Sequence, residues 1–392
     1  MRNSFSFIKQ FIRETDKVLL LLCAAASVFG SLMVYSATLP DVVEGKFISR
    51  DALVMILAVC LGIVAALIIS VIDCEWIMKL WPAVALFCIG ILAVTMIWGV
   101  APDARTDAKS WLKLGPVFFQ PSELVKIGFI ITFAMHLELA KDSLNKLPSI
   151  ALLGIHALIP TVLVMRSDMG SALVFIIVAV GMMFVAGVHW GYFAVGGVLC
   201  ALSVPLMWTY VLKQFQKDRF LAIIKPELYP EEIYQQENGL NAIGNGGFFG
   251  SGLFKGAYTQ AGVVPESEND MIFSVVGEET GFIGAMAALI ILTLIILRIV
   301  NTARHSSDNP SRLMCCGVAI MLGAQVVINL GMCLMLLPVV GITLPFFSAG
   351  GSSTICIYIG IGLILSIYRS SCERAAVNFR ISNIRTPFRD NN

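Results

Sequence analysis

Four stretches of this chain set ionisable or hydroxyl side chains beside long apolar runs, where such groups are costly unless they are used. The first is Trp111-Leu-Lys-Leu-Gly-Pro-Val-Phe-Phe-Gln-Pro-Ser-Glu123-Leu-Val-Lys126. Pro121 and Ser122 read as a helix start, with Glu123 in the first turn, where a carboxylate suits the helix dipole. Glu123 and Lys126 are three residues apart and share a helix face. The second stretch is Ser167-Asp168-Met-Gly170-Ser171-Ala172. The third follows a glycine-rich run and ends in Pro265-Glu266-Ser-Glu268-Asn-Asp270-Met-Ile-Phe273. Asp270 stands where a polar segment meets an apolar one, and burial there raises a carboxylate pKa towards that of a working general base. The fourth runs from Pro338 through Pro345 and Ser348 to Gly350-Gly351-Ser352-Ser353. Each has a plainer reading beside the chemical one. Asp168 and Asp270 could be N-caps. Glu123 and Lys126 could be a cap with an ion pair, and Trp111 an interfacial anchor. The fourth stretch could be a tight re-entrant connection.

The elements that must position these groups are membrane helices. Of the 392 residues, 57% are hydrophobic and only 14% charged. Soluble domains carry about 25% charged residues. That shortfall excludes an ordinary soluble enzyme, a disordered tail protein and a coiled coil. A span needs about 20 apolar residues. Ten such runs are read, near 18–38, 52–72, 80–100, 122–141, 149–166, 169–187, 191–212, 272–298, 313–337 and 350–370. Arg166, Ser167 and Asp168 separate the fifth from the sixth. The expected fold is therefore all-α and polytopic, one membrane domain over 1–392. A large extracytoplasmic loop, 213–271, joins helices 7 and 8, and 371–392 form a cytoplasmic tail. The first apolar run is long enough to be a retained anchor.

Orientation follows from Lys and Arg in short loops. With the N-terminus inside, the inner segments hold 15 basic residues and the short outer loops 6. Both termini are therefore expected in the cytoplasm. All four stretches then reach the outer face, at 101–121, 166–168, 213–271 and 338–349. Chemistry or binding belongs at the outer leaflet.

Several classes drop out. The net charge of +1 gives no global field for nucleic acid. The run Asn241-Ala-Ile-Gly244-Asn-Gly246-Gly247-Phe-Phe-Gly250-Ser-Gly252 lacks the GK[ST] ending of a nucleotide loop. Such a run suits close approach to a ligand or to another backbone. His136, His156, His189 and His305 are not clustered with other ligands, so neither zinc nor a histidine triad is indicated. The ten cysteines show no CxxC spacing and read as small buried hydrophobes.

Taken in order, W-x-x-L-G-P-x-x-F-Q-P-S-E, D-M-G-S-A, D-M-I-F-S-V-V-G-E-E-x-G and P-V-V-G-I-T-L-P-F-F-S-x-G-G-S-S resemble the SEDS family (RodA, FtsW and SpoVE). The likeness runs from Tyr35-Ser36-Ala37 to the tenth span. Leu253-Phe-Lys-Gly-Ala-Tyr-Thr-Gln260 is more similar to the RodA branch. The resemblance implies a peptidoglycan glycosyltransferase of the bacterial cytoplasmic membrane acting on lipid II, in elongation and rod shape. It implies a class B penicillin-binding protein as partner, with membrane lipids around it. It implies Asp270 as the essential catalytic residue and Arg50, Trp111, Glu123 and Lys126 as cavity residues. Ser110, Ser167, Glu268-Asn269 and Ala349 depart from the family's usual residues.

The reaction so implied joins two lipid-linked disaccharides. A sugar hydroxyl of the acceptor attacks the anomeric carbon of the donor, and polyprenyl pyrophosphate leaves. Asp270 is the expected base. Lys109, Lys113, Arg50, Arg166 and Lys126 are the expected cations for the leaving group. Asp168 and Ser352 complete the expected substrate-binding set. A divalent cation, Mg2+ or Mn2+, could share the charge, since carboxylates such as Glu123 and Asp270 suit a hard ion; no spacing specifies a metal site. The outer face as a whole carries 12 basic and 17 acidic residues, so any anion must be held locally. Two rival readings are a lipid II flippase and a non-catalytic scaffold for cell-wall synthases.

Overall fold

A computed structural model describes residues 15–42, 47–101, 109–115 and 117–385. The chain folds into long helices, because a backbone in hydrocarbon must satisfy its own hydrogen bonds. They are α1 (Lys17–Ala37), α2 (Arg50–Val71), α3 (Trp81–Trp98), α4 (Pro121–Leu139), α5 (Leu147–Met165), α6 (Met169–Ala186) and α7 (Trp190–Leu206). The segment 213–271 follows, with α8 (Gln214–Ile224), α9 (Pro230–Gly246) and one turn, Ala257–Gln260. The chain ends with α10 (Ile272–His305), α11 (Asn309–Cys333) and α12 (Gly351–Arg385). Nine helices among the described residues are long and apolar enough to cross a membrane. The fourth expected span, α4, is not among the nine: it is 19 residues long but carries Glu123, Lys126 and Glu138. Glu123 and Lys126 are buried inside the bundle, which is how a charged pair can sit at membrane depth, whereas Glu138 is half-buried at the far end of the helix and pairs with Lys141.

Local sequence sets the helix starts. Asp16, Ser49, Asp168 and Asp308 each accept a hydrogen bond from a first-turn amide. Proline opens α3, α4, α5 and α11, where a missing N–H costs nothing. The fifth and sixth expected spans are two separate helices, divided at Arg166–Asp168. The last helix runs on to Arg385, so the first part of the expected tail is helical.

One end of the bundle is tied by charged and polar pairs. Arg374 pairs with Glu75 at 2.6 Å and Asp308 at 3.0 Å. Arg298 pairs with Asp16 at 2.7 Å, and Asn309 donates to Glu138 at 2.7 Å. All four candidate stretches gather at the opposite end. α11 and α12 are the most enclosed of the candidate spans, whereas α7 has no buried residue.

The helix α10 is broken at Gly281, whose φ of 65° and ψ of −166° are open only to glycine. The break strands carbonyls of the preceding turn, and the glycine run answers them. Ser251 and Gly252 amides donate to the Glu278 and Glu279 carbonyls at 2.9 and 3.1 Å. The Phe282 amide donates to the Gly247 carbonyl at 3.0 Å. A Cβ on Gly250 or Gly281 would overlap the facing backbone. Of the two uses open to the glycine run, close approach to another backbone is the one seen.

Candidate functional site

The site begins at the start of α4. A two-stranded hairpin, β1 (Leu112–Leu114) and β2 (Val117–Phe119), delivers the chain to Gln120. The Gln120 side-chain amide donates to Asp168 Oδ2 at 2.8 Å. Its backbone N–H donates to Ser352 Oγ at 3.3 Å. Asp168 Oδ1 accepts from the Ser171 amide at 2.9 Å. Asp168 is thus the N-cap of α6, and its other oxygen is also turned to Gln120. One residue, quoted in the sequence motif but assigned no role there, joins three of the four stretches. Glu123 and Lys126 pair at 2.8 Å, with side chains 8% and 3% exposed. At such burial the pair is held by mutual compensation, because either charge alone would be poorly solvated.

Asp270 is not an N-cap. The cap position of α10 is Met271, and no side chain caps it. Among the described residues, no donor reaches the Asp270 carboxylate. Burial pushes its pKa up to about 7, helped by the carboxylates of Glu266, Asp168 and Glu268 and opposed by Arg219. The backbone around it is firmly held. The carbonyls of Glu268, Asn269 and Asp270 accept in turn from the Ala349 amide at 2.8 Å, Ser348 Oγ at 2.7 Å and Asn329 Nδ2 at 2.8 Å. The fourth stretch therefore wraps the third. Its irregular backbone is covered by protein: Leu344, Phe346, Phe347 and Ser348 are all buried. Gly170 fits against the Val340 carbonyl with no room for a Cβ, which docks the start of α6 on the same loop.

The remaining candidates lie around this junction. Trp111 pairs with Val100 by backbone hydrogen bonds of 2.7 and 3.2 Å. Lys109, Ser110, Thr95, Ser122, Ser167 and Asp168 line one small cleft. Lys113 lies opposite Phe118 in the hairpin and is exposed. Arg50 is exposed in the first turn of α2. Ser352 is buried beside Gln120. Arg166 is exposed just after α5. No hydrogen bond among the described residues joins the Glu123–Lys126 pair to Asp270. Two residues absent from the sequence candidates belong here. Arg219 of α8 donates to the Val339 carbonyl at 3.0 Å and is a cation felt by Asp270. Asn329 of α11 is wholly buried and holds the Asp270 peptide. A polar Asn inside an apolar span is a detectable signal, but its partners are not.

A divalent cation fits this arrangement poorly as a protein-held ion. Among the described residues, no group of three or more His, Cys, Asp or Glu side chains gathers. Glu123 is engaged by Lys126. A hard ion here would depend on water and substrate oxygens for most of its shell.

The geometry has counterparts among known proteins. The profile of the cell-cycle proteins FtsW, RodA and SpoVE matches residues 16–373. The peptidoglycan glycosyltransferase MrdB of Escherichia coli K12 is 31% identical over 359 residues, covering 90% of this chain and 93% of its own. A probable peptidoglycan glycosyltransferase FtsW from Geobacter sp. M18 is 32% identical over 367 residues, covering 90% and 96%. A chain of a peptidoglycan synthase complex, studied for coordination of polymerization and crosslinking, superposes with a TM-score of 0.76 at 29% identity, over 91% of this chain and 98% of that one. The rod shape determining protein RodA of Thermus thermophilus superposes with a TM-score of 0.67 at 27% identity, over 91% and 97%.

Proposed function

This chain belongs to the FtsW/RodA/SpoVE family of cell-cycle proteins, and from that premise we propose that it polymerises lipid II with Asp270 as general base. It is a multi-pass membrane protein and a peptidoglycan glycosyltransferase. The observation that carries the assignment is the state of Asp270. Its carboxylate is half-buried, takes no hydrogen bond among the described residues, and has a pKa of about 7. A base must have a free lone pair and a pKa near the working pH.

In this reading the acceptor hydroxyl gives its proton to Asp270 as its oxygen bonds to the donor's anomeric carbon. The bond from that carbon to the polyprenyl pyrophosphate breaks, and the electron pair leaves on the phosphate oxygen. Arg219 and the cleft residue Lys109 supply positive charge near the junction, with Lys126 buried in α4 and Arg50 and Lys113 at the rim. Asp168 and Ser352, joined through Gln120, shape the wall. Mg2+ or Mn2+ would add positive charge at the leaving pyrophosphate if it arrived with the substrate.

The charge asymmetry of the loops supports a cytoplasmic-membrane location with both termini inside and this site outside. A class B penicillin-binding protein is the proposed partner, and the likeness to a subunit of a peptidoglycan synthase complex supports it. Elongation is the proposed process, supported by the likeness to MrdB and RodA. The test is polymerisation of labelled lipid II by the purified pair carrying Asp270→Ala. Glycan strands of normal length and amount would overturn the base assignment. Movement of lipid II between leaflets without polymer would favour a flippase, and unchanged wall synthesis in cells a scaffold.

A further inference from the structure

The Asp270 carboxylate has an unusual property for a half-buried acid. No hydrogen bond among the described residues fixes its direction. Its aim therefore follows from its backbone and from packing, in which Gly341 is the near neighbour; a Cβ there would lie 3.5 Å from Oδ2. The backbone is held from one side. Asn329 gives both hydrogens of one amide group, to the Asp270 carbonyl at 2.8 Å and the Ile342 carbonyl at 2.8 Å. Ser348 accepts from the Leu344 amide at 2.7 Å and donates to the Asn269 carbonyl at 2.7 Å. Both side chains are enclosed, Asn329 at 0% and Ser348 at 2% exposure. Neither faces the open side of the site, so neither is placed to contact substrate.

We propose that Asn329 and Ser348 are positioning residues for the polymerase reaction, holding the Asn269–Asp270 peptides so that the Asp270 carboxylate keeps one orientation. This rests on the reading of Asp270 as the base. The physical reason is the steep dependence of proton transfer on geometry. A base must stay within hydrogen-bond reach of the proton it takes, and a misplacement of about 1 Å can cost about a hundredfold in rate. Asn329 also ties Ile342 to Asp270. The loop that carries Gly341 and the peptide that carries the carboxylate therefore move as one body. Ala349 adds a third tie through its backbone amide, which its side chain does not alter.

The test uses the full chain purified with its penicillin-binding protein partner and fluorescent lipid II. Asn329→Ala and Ser348→Ala are compared with wild type and with Ser348→Thr, which keeps the hydroxyl. The expected result is a 10- to 100-fold fall in kcat for both alanine variants (about 1.4–2.8 kcal/mol) with KM within about twofold. Ser348→Thr should restore most of kcat. The acid limb of the pH–rate profile should also move, because the carboxylate changes its distance to Glu266, Asp168, Glu268 and Arg219.

Tyr358→Phe is the control. It removes hydrogen bonds of the Tyr358 hydroxyl to Ser27 at 2.8 Å and to the Cys23 carbonyl at 3.3 Å, neither of which joins Asp270, and it keeps the ring that packs on Phe346. It should lower the thermal midpoint without cutting kcat per folded complex. Equal kcat losses in Tyr358→Phe and the alanine variants would reduce Asn329 and Ser348 to ordinary structural residues. So would a kcat within twofold of wild type in Ser348→Ala, which decides alone where Asn329→Ala yields no folded complex. Asp270→Asn is run in parallel. If it polymerises normally, the base reading has failed. If it is inactive while both alanine variants are normal, only the positioning role has failed.

Discussion

Gln120 reaches across 48 residues of sequence to place its side-chain amide 2.8 Å from Asp168 Oδ2. That contact closes the wall between the starts of α4 and α6. A hydrogen bond to a charged group contributes about 1.5–3 kcal/mol. Gln120→Leu should therefore loosen this wall and lower polymerisation about tenfold or more, with Gln120→Glu worse because two carboxylates would then meet. Initial rates of polymer formation at matched protein levels check both.

The raised pKa of Asp270 sets a pH dependence. The base works ionised, so the rate should climb with pH and level off above about 7. Glu266→Gln removes a neighbouring carboxylate that raises this pKa, and should move the midpoint to lower pH. Arg219→Gln removes the opposing cation and should move it to higher pH. The stability effect has the opposite sense. The folded chain keeps this proton up to about 7 while the unfolded chain loses it near 3.8, so this group's contribution to stability falls as pH rises between those values. Rate profiles across pH 5–9 would show whether the two variants diverge as expected.

The Glu123–Lys126 pair should behave as a unit. Lys126→Met leaves a buried carboxylate without its partner, at a cost of about 3–5 kcal/mol. The double variant Glu123→Leu with Lys126→Met should regain most of that stability. Denaturant or thermal unfolding in detergent, run as a double-mutant cycle, measures the coupling. Activity of the double variant separates the pair's structural role from its proposed contact with substrate.

Gly281→Ala should be among the most damaging single-atom additions in the chain. The backbone there is a glycine-only conformation, costing about 1–3 kcal/mol for any other residue. The added methyl would also meet the Phe248–Gly250 backbone. The thermal midpoint of the purified protein should drop well below that of Gly90→Ala, where a Cβ meets nothing.

Most of the fold was legible because hydrophobic run length and basic-residue bias are properties of the bare sequence. The ten spans, the separation at Arg166–Asp168 and the gathering of four stretches at one end all follow from them. The start of α4 was legible as well, since Pro121 and Glu123 carry local helix-start chemistry. Asn329 and Arg219 were not. Their significance lies in partners 59 and 120 residues away, Asp270 and Val339, and pairing at that range leaves no periodic mark. The N-cap reading of Asp270 was locally reasonable. The structure differs because the helix starts one residue later, with Met271 at the cap position, and the Asn269 and Asp270 carbonyls are taken up by Ser348 and Asn329.

The break in α10 has a mechanical consequence. An unbroken helix of 34 residues would be a rod of about 51 Å, far longer than the hydrocarbon layer of about 30 Å. Any tilt imposed on it by a thicker or thinner bilayer would be passed along its whole length. The interruption at Gly281 leaves a short outer piece, 272–280, that follows Asp270 and is enclosed by protein, while the piece below it exposes Ile283, Ile290, Leu294 and Leu297. A tilt taken up by the lower piece is therefore expected to bend the chain at Gly281 before it reaches the reacting carboxylate, so that the aim of the base should depend little on the thickness of the bilayer.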